Sequence, residues 1–504
     1  MNLKYKNFST GIKNFLKKRD VTSQKTLERF LVPTFANLRP SDEILREAVE
    51  KTGNFIKKRK RILIWGDEDV DGITSTFIMK LLCREAFGIE VRHHIPKRAK
   101  EGYGLSRQGI DKAYKNGIDL IITVDSGTSS ISEVEYLKKK GMDVIITDHH
   151  ELKEKLPKAP LINPKHNPFG YKYLSGAGVA FKFADCAMQD LQEKTTEEWS
   201  EDIPEIPALA FIGTIIDKVP LLDENRIIYI EGVKCLKKSE KPPFSLLSAR
   251  KNLLKGIIPL ASGKENLTWE FFSARTIEEA EGIYQSLKSK HSLWNKESRA
   301  EFSAIKNELN EGKRVIFKKD LDYKIAGGVT NRAKDYCKKP IFLIYYVGSK
   351  IRGEGRSPDG FNLLSVLGEA KDLLIDYGGH KCACGFELKK EKINEFKDKT
   401  EPLLEKYKTL RQYDSKLKLN EVNEDLKNLI EKMEPFGNGN PPPIFLIENV
   451  IYEKEYKDFF LSKGKIKIKL NEVREMPPPS KKVNAYLEIK GRKTILKRWE
   501  WAAK

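Results

Sequence analysis

Asp67, Asp69 and Asp71 occupy alternate positions of GDEDVDG (66–72), directly after the apolar run RILIW. Further along, TVDSGTS supplies Asp125, VIITDHHE supplies Asp148, His149 and His150, and AFIGTIIDKVPL supplies Asp217, each after another apolar run. Carboxylates gathered within a few ångströms repel one another unless protons or cations neutralise them. With imidazoles beside them, a divalent cation is the economical resolution. Oxygen ligands plus histidine suit manganese, or magnesium with more of its waters retained. Taken singly, these residues have plainer readings: an aspartate after a strand commonly caps the next helix, and VDG followed by ITSTFIMK fits that role. Caps do not require three carboxylates within five residues at one tip and a histidine pair at another. The joint pattern favours a metal site.

Such a site needs elements that bring distant segments together. Between about 60 and 150, short β-rich runs (RILIW, DLIITV, DVIIT) alternate with segments of helical spacing, ITSTFIMKLLCREAF and SSISEVEYLKKKG. That alternation predicts βαβ units and a parallel sheet, whose ligands bind outside the carboxyl ends of its strands. Four sheet edges are therefore expected to meet around the acidic and imidazole groups. In an extended segment Asp67, Asp69 and Asp71 would share one side, with Asp71-Gly72 starting a turn. Residues 240–310 read as a charged helical connector, followed by a second mixed α/β region with RVIFK, PIFLIYYV and DYGGHKCACGFEL. Another charged helix is expected near 408–435, then a Pro/Gly hinge, EPFGNGNPPPIF. In GKIKIKL, Lys465, Lys467 and Lys469 alternate with Ile466, Ile468 and Leu470, as in a half-exposed strand.

A chain of 504 residues exceeds one ordinary core, so two to four domains are expected. With 39% hydrophobic and 33% charged residues it reads as a soluble globular protein. Its longest apolar run, ALAFIGTII, is too short to cross a bilayer, and MNLKYKNFSTGIKNFLKKRD lacks the apolar core of a secretory signal. Six scattered cysteines argue for a reducing compartment, and Cys382 with Cys384 do not alone make a zinc site. The 92 Lys and Arg against 72 acids, a formal net charge of +20, favour polyanionic partners, nucleic acid above all.

GDEDVDG, VDSG, TDHH and GTIIDKVPL resemble the four successive motifs of the DHH phosphoesterase superfamily. FLVPTFANL, EGYGLS, LSGAGVAFKF, GGHKCACGF and PFGNGNPPPIF extend the resemblance, in order and over nearly the whole chain, to the RecJ-type single-strand-specific exonucleases. The resemblance implies an α/β fold: a parallel-sheet DHH domain (46–238) after an N-terminal extension (1–45), a helical connector (239–305), a smaller mixed α/β DHH-associated domain (306–407), and a helix plus C-terminal OB-like β-barrel (408–504). By position it makes Asp69, Asp71, Asp125, His149 and Asp217 ligands of two divalent cations, manganese preferred and magnesium the alternative, with Asp125 as the bridge. Asp67 would support the site, His150 would face the scissile phosphate, and Asp148 would orient the histidines. The implied reaction is phosphodiester hydrolysis by two cations about 3.5–4 Å apart.

In the second lobe the resemblance makes Arg356, Ser357, Gly378, Gly379, His380, Lys381 and Gly385 candidates for holding nucleotide phosphates. Cys384 stands where the family has a small residue, and is expected to pack as a small hydrophobe. From Pro441 to Lys504 there are 15 Lys or Arg against 8 Asp or Glu, interleaved with Tyr452, Tyr456, Phe459, Phe460, Trp499 and Trp501. That combination suits single-strand binding, with about half of the aromatics expected in the barrel core. IIPLASGKENLTW and DLDYKIAGGVTNRAKDY depart from the family's connector and second-lobe loop patterns. The expectation is a monomeric, cytoplasmic exonuclease on single-stranded nucleic acid, DNA favoured and 5′→3′ by resemblance. It would serve DNA repair and recombination without a membrane, alongside a helicase or a single-strand-binding protein. The alternatives are a phosphodiesterase for short RNA or dinucleotides and a non-catalytic single-strand-binding scaffold.

Overall fold

The computed structural model describes residues 3–502 apart from 59, 264–265, 359 and 408–412. The start of the expected helix near 408 lies outside the described residues, as does Asp359, three residues after the candidate Arg356.

The first lobe is built on five parallel strands, β1 (Ile62–Trp65), β2 (Arg92–His94), β3 (Leu120–Thr123), β4 (Asp143–Thr147) and β5 (Leu161–Ile162), in the order β2-β1-β3-β4-β5. The three central strands are the three expected from the sequence; β2 and β5 are too short and too polar or isolated to show by periodicity. Alternate side chains go to opposite faces. Ile62, Ile64, Leu120 and Ile122 pack under the helices Val70–Phe87, Gly176–Gln192 and Glu205–Ile216. Leu63, Trp65, Ile121 and Val144 pack under Arg107–Lys115 and Ile131–Lys139. Both faces are covered, which is why these strands read as continuous apolar runs. Each wholly buried Ile or Leu there contributes roughly 1.5–3 kcal/mol.

Four short helical turns lead into the 34-residue helix Ile277–Asn310, the backbone of the connector. The second lobe holds β6 (Val315–Phe317), β7 (Ile341–Val347), β8 (Lys350–Arg356), β9 (Leu374–His380) and β10 (Ala383–Leu388), ordered β6-β7-β8-β10-β9 and antiparallel except for β6 with β7. GGHKCACGF is the β9–β10 hairpin. Cys384 is buried, and burial pushes its thiol up to about 12, as expected of a packed hydrophobe. The stretch DLDYKIAGGVTNRAKDY forms not a loop but the helix Tyr323–Cys337, capped by Asp322.

The C-terminal domain comprises β11 (Ser415–Lys416), β12 (Ile444–Glu455), β13 (Asp458–Lys463), β14 (Ile466–Leu470), β15 (Glu472–Val473), β16 (Lys482–Lys490) and β17 (Lys493–Trp501). Its strands run β14-β13-β12-β16-β17-β15, and only Asn471 separates the two edge strands, so the sheet closes on itself. Asn471 seals the junction by donating to the Thr494 carbonyl and accepting from its amide, both at 2.8 Å. The charged helix expected over 408–435 is confined to Glu424–Lys432 among the described residues. The N-terminal helices Thr10–Lys17 and Gln24–Leu31 bury Phe15, Leu16, Leu27 and Phe30 against this barrel's own core. Among the described residues no helix is long and apolar enough to cross a membrane.

Candidate metal centre

Three of the four acidic segments emerge where the sheet predicts, beyond the carboxyl ends of β1, β3 and β4. The fourth does not come from a sheet edge. Asp217 is the C-cap of the helix Glu205–Ile216, whose apolar run is long enough for either element. Placing a carboxylate at the negative end of a helix dipole is unfavourable, so this position is not explained by capping.

Beyond β1 the chain passes Asp67 and turns into the helix Val70–Phe87, with Asp69 as N-cap, its Oδ1 accepting from the Gly72 amide at 3.1 Å. Capping and clustering therefore coexist in one residue. Arg98 joins the acids: its Nε donates to Asp67 Oδ1 at 3.0 Å and its Nη2 to Asp69 Oδ2 at 2.9 Å. Asp71 lies in the first turn of the helix and accepts from the amides of Gly176 (2.6 Å) and Ala177 (2.9 Å), the first residues of another helix N-terminus. Asp125 adopts a left-handed backbone (φ 56°), and a β-carbon at Gly176 would sit 2.6 Å from its side chain, so that helix can approach only through glycine.

Beyond β4, Asp148 is buried and acts as a bracket. Its Oδ1 accepts from the amides of His149 (2.7 Å) and His150 (3.2 Å) and from His150 Nδ1 (2.8 Å), and its Oδ2 from the Thr128 amide (2.9 Å). Among the two imidazoles it therefore orients that of His150. His149 points its Nε2 the other way, 3.1 Å from Asp125 Oδ1 and 3.8 Å from both Asp71 Oδ2 and Asp217 Oδ2. The Tyr103 hydroxyl donates to the Asp125 carbonyl and lies 3.0 Å from His150 Nδ1.

The electrostatics follow from this crowding. Burial and then the charges of Asp217 and Asp69 hold the Asp71 carboxyl well above the usual range. Burial and Asp71 do the same to Asp125. Burial, with Asp69 adding to it, raises Asp67 and Asp217 to about 6 each. Asp69 is burdened by burial too, yet the Arg98 charge and the Gly72 amide hold it low. His149 is pushed well below its ordinary value by burial and by His150 and His380, whereas Asp148 outweighs burial and raises His150. Asp125 Oδ1 is buried and receives no hydrogen bond among the described residues. A buried carboxylate oxygen without a donor costs free energy, and a cation is the partner that removes the cost.

All eight first-lobe candidates thus converge. Asp71, His149 and Asp217 form one set with ligand atoms within 4.8 Å of one another, and Asp67, Asp69 and Asp125 form another. Of the seven second-lobe candidates only His380 reaches them. Its ring stacks on His150 with centroids 5.1 Å apart, and burial and the His150 charge lower it to about 3. Gly378, Gly379, Lys381 and Gly385 are exposed on the hairpin, and Ser357 is buried against the Phe361 carbonyl. Arg356 pairs with Glu354 at 2.8 Å. Burial, then the charges of Arg356 and Lys334, lowers Lys218, the residue after Asp217. Sequence reasoning gave no role to Arg98 or Tyr103, although both lie in or beside the quoted EGYGLS; the unseen strand β2 is what carries them to the site.

Comparison with known proteins is consistent with this geometry. Family models match residues 61–214 (DHH family, N-terminal domain), 311–406 (DHHA1 domain) and 413–474 (RecJ OB domain). RecJ of Bacillus subtilis, a single-stranded-DNA-specific exonuclease, is 30% identical over 451 residues, covering 81% of this chain and 54% of that protein. The Haemophilus influenzae RecJ is 27% identical, covering 85% of this chain and 81% of that protein. The chain thus spans about half the length of the Bacillus subtilis relative. Among solved structures, Thermus thermophilus RecJ in complex with Mn2+ superposes with a TM-score of 0.75 at 21% identity, covering 98% of this chain and 78% of that one. An exonuclease RecJ bound to manganese gives 0.59 at 26% identity over 75% of this chain and 96% of that one. With three domain models matched in this order, the chain belongs to the DHH family and has the RecJ-type architecture.

Proposed function

We propose that this protein is a metal-dependent exonuclease that hydrolyses phosphodiester bonds of single-stranded DNA from the 5′ end. The observation that carries the reading is the Asp125 carboxylate, buried, without a hydrogen bond to Oδ1 among the described residues, grouped with Asp67 and Asp69 and 3.1 Å from the His149 Nε2 of the neighbouring set. Hard oxygen donors with one imidazole fit manganese or magnesium, and the donor set contains no thiolate that would select a softer ion. Manganese is also what the two similar RecJ structures contain.

Asp69, Asp71, Asp125, His149 and Asp217 would hold the two ions, with Asp125 between them. Bound there, the cations would supply an acidified water and charge neutralisation at the phosphate. The remaining work falls to this chain's own groups. Asp148 fixes the His150 ring and raises its proton affinity, which favours an imidazolium facing the phosphoryl oxygens as an electrostatic stabiliser. Arg98 sets its one positive charge against both Asp67 and Asp69, which limits the repulsion the site must absorb. His380 brings the second lobe against His150, and Arg356, Ser357, Gly378, Gly379, Lys381 and Gly385 would grip the strand as it leaves. On the C-terminal barrel, Tyr456 and Trp501 are 90% and 61% exposed beside lysines, a surface suited to stacking bases.

The domain limits proposed with this reading are 1–45, 46–238, 239–305, 306–407 and 408–504. The protein would work as a cytoplasmic monomer in repair and recombination, receiving strands from a helicase or a single-strand-binding protein. End-labelled single strands, duplex and dinucleotide, each with and without Mn2+, test the reading. Metal-dependent release of nucleotides from the 5′ end of single strands is expected. Cleavage of dinucleotides alone would replace it with a short-substrate phosphodiesterase, and strand binding without release would replace it with a scaffold.

A further inference from the structure

The site residues differ in what holds them. Asp71 is fixed by two amides, Asp67 and Asp69 by Arg98 and a cap, and Asp148 and His150 by each other. Among the described residues Asp217 makes no side-chain hydrogen bond; its nearest partner is His149 Nε2 at 3.8 Å. Its carboxylate is therefore placed by its backbone alone. That backbone leaves the helix Glu205–Ile216, takes a left-handed turn at Lys218 (φ 59°), and continues through Val219-Pro220-Leu221.

This short segment is gripped from the far end of the chain. The Leu221 amide donates to the Asn438 carbonyl at 2.7 Å, and Asn438 Nδ2 donates to the Lys218 carbonyl. Gly439 has φ 70°, and a β-carbon there would lie 2.6 Å from Pro220 Cβ. The gripping turn is itself rigid. Asn440 is fully buried, donates to the Met433 and Pro435 carbonyls at 3.0 and 2.9 Å, and accepts from Arg19 Nε at 2.8 Å. Nearby, Arg226 of the first lobe donates to the carbonyls of Phe30, Met433, Lys432 and Glu434. The stretch that reads as a Pro/Gly hinge in sequence is a clamp between the C-terminal domain and the residues that follow Asp217.

We infer that Asn438 and Gly439 are positioning residues for the metal centre: the clamp sets the place of Asp217, so the C-terminal domain takes part in ion binding as well as in strand binding. The inference rests on the reading of the first-lobe cluster as a two-metal site. On that reading two ions would share the cluster, and only the one held by Asp71, His149 and Asp217 should feel the clamp.

The test is a Mn2+ titration followed by electron paramagnetic resonance on the full chain without nucleic acid, for the wild type, Asn438→Ala and Gly439→Val. Asn438→Ala removes one hydrogen bond and keeps the backbone bond from Leu221; Gly439→Val forces the clamp open. Expected are two bound ions in the wild type, and a loss of affinity for one of them of about fivefold in Asn438→Ala and tenfold or more in Gly439→Val. Hydrolysis of a dinucleotide, too short to reach the barrel, should recover its wild-type kcat at raised Mn2+, and affinity for a long single strand should stay within twofold. Wild-type affinity at both ion sites in Asn438→Ala and in a Gly439→Val protein with native circular dichroism would overturn the inference. So would equal weakening at both sites. A wild type that binds no Mn2+ would instead defeat the functional reading itself.

Discussion

The acidic cluster of the first lobe and the strand face of the C-terminal barrel are both strongly charged, and they handle charge in opposite ways. In the cluster, Asp71, Asp125 and Asp217 are gathered with no Lys or Arg side chain bonded to them among the described residues, and burial raises all three. On the barrel, charges are exposed and some of the lysines are paired: Lys467 with Glu453 and Glu455, Lys469 with Asp458, Lys497 with Glu488. Exposed pairs contribute about 0–1 kcal/mol and exchange readily for phosphates. Buried, unanswered carboxylates cannot relax, so they demand a particular ligand. On the proposed function, the first region would specify chemistry and the second would supply adhesion.

If that division holds, removing the shared carboxylate should stop turnover and spare binding. Asp125→Ala is expected to lower strand hydrolysis roughly a thousandfold or more, with single-strand affinity within a few-fold of wild type by fluorescence anisotropy. Retained cleavage would count against the assignment.

The unanswered charge of the first region also predicts a stability signature. Asp217 is raised to about 6 in the folded protein, so the fold holds this proton more tightly than the unfolded chain does. Its contribution to metal-free stability is fully present below about pH 4 and is lost as pH rises through about 6. Asp217→Asn should therefore stabilise the metal-free protein at neutral pH by on the order of 2 kcal/mol, and hardly at all at pH 4. Urea unfolding in chelator at the two pH values checks this, and a stabilisation independent of pH would contradict it.

The barrel's share is smaller and differently shaped. Trp501→Ala should weaken single-strand binding about tenfold, the cost of removing one stacking platform, and leave kcat unchanged at saturating strand. Smallest is the effect of Lys457 and Lys465, exposed lysines with no carboxylate partner among the described residues. Replacing both by alanine should reduce the slope of log affinity against log salt by roughly 0.7 for each phosphate that is no longer neutralised. An unchanged slope would move the strand elsewhere on the protein.

What the sequence made legible follows the same divide. The three central strands and their terminal Asp125, Asp148 and His149 were readable because a buried parallel strand is a continuous apolar run, and the polar residues that stop it stand out. Asp217 follows an apolar run that fits a strand as well as a helix, and the structure places it at the end of a helix rather than at a sheet edge. Arg98 was missed because β2, with its exposed Arg92 and His93, has no apolar signature. The clamp at 437–440 reads as a hinge in sequence because Pro and Gly mark turns, and no local pattern shows that the turn is bonded to Lys218 and Leu221 more than two hundred residues earlier. His380 was recognised by its motif, while its stacking on His150 depends on how the two lobes face each other, which periodicity does not encode.

The central claim is that the first-lobe cluster holds a pair of divalent cations. Anomalous diffraction at the manganese edge from crystals grown with Mn2+ tests it most directly. Two peaks about 3.5–4 Å apart are expected, both touching Asp125. One of them should contact Asp71, His149 and Asp217, and the other Asp69. A single peak, or manganese bound away from Asp125, would contradict the account.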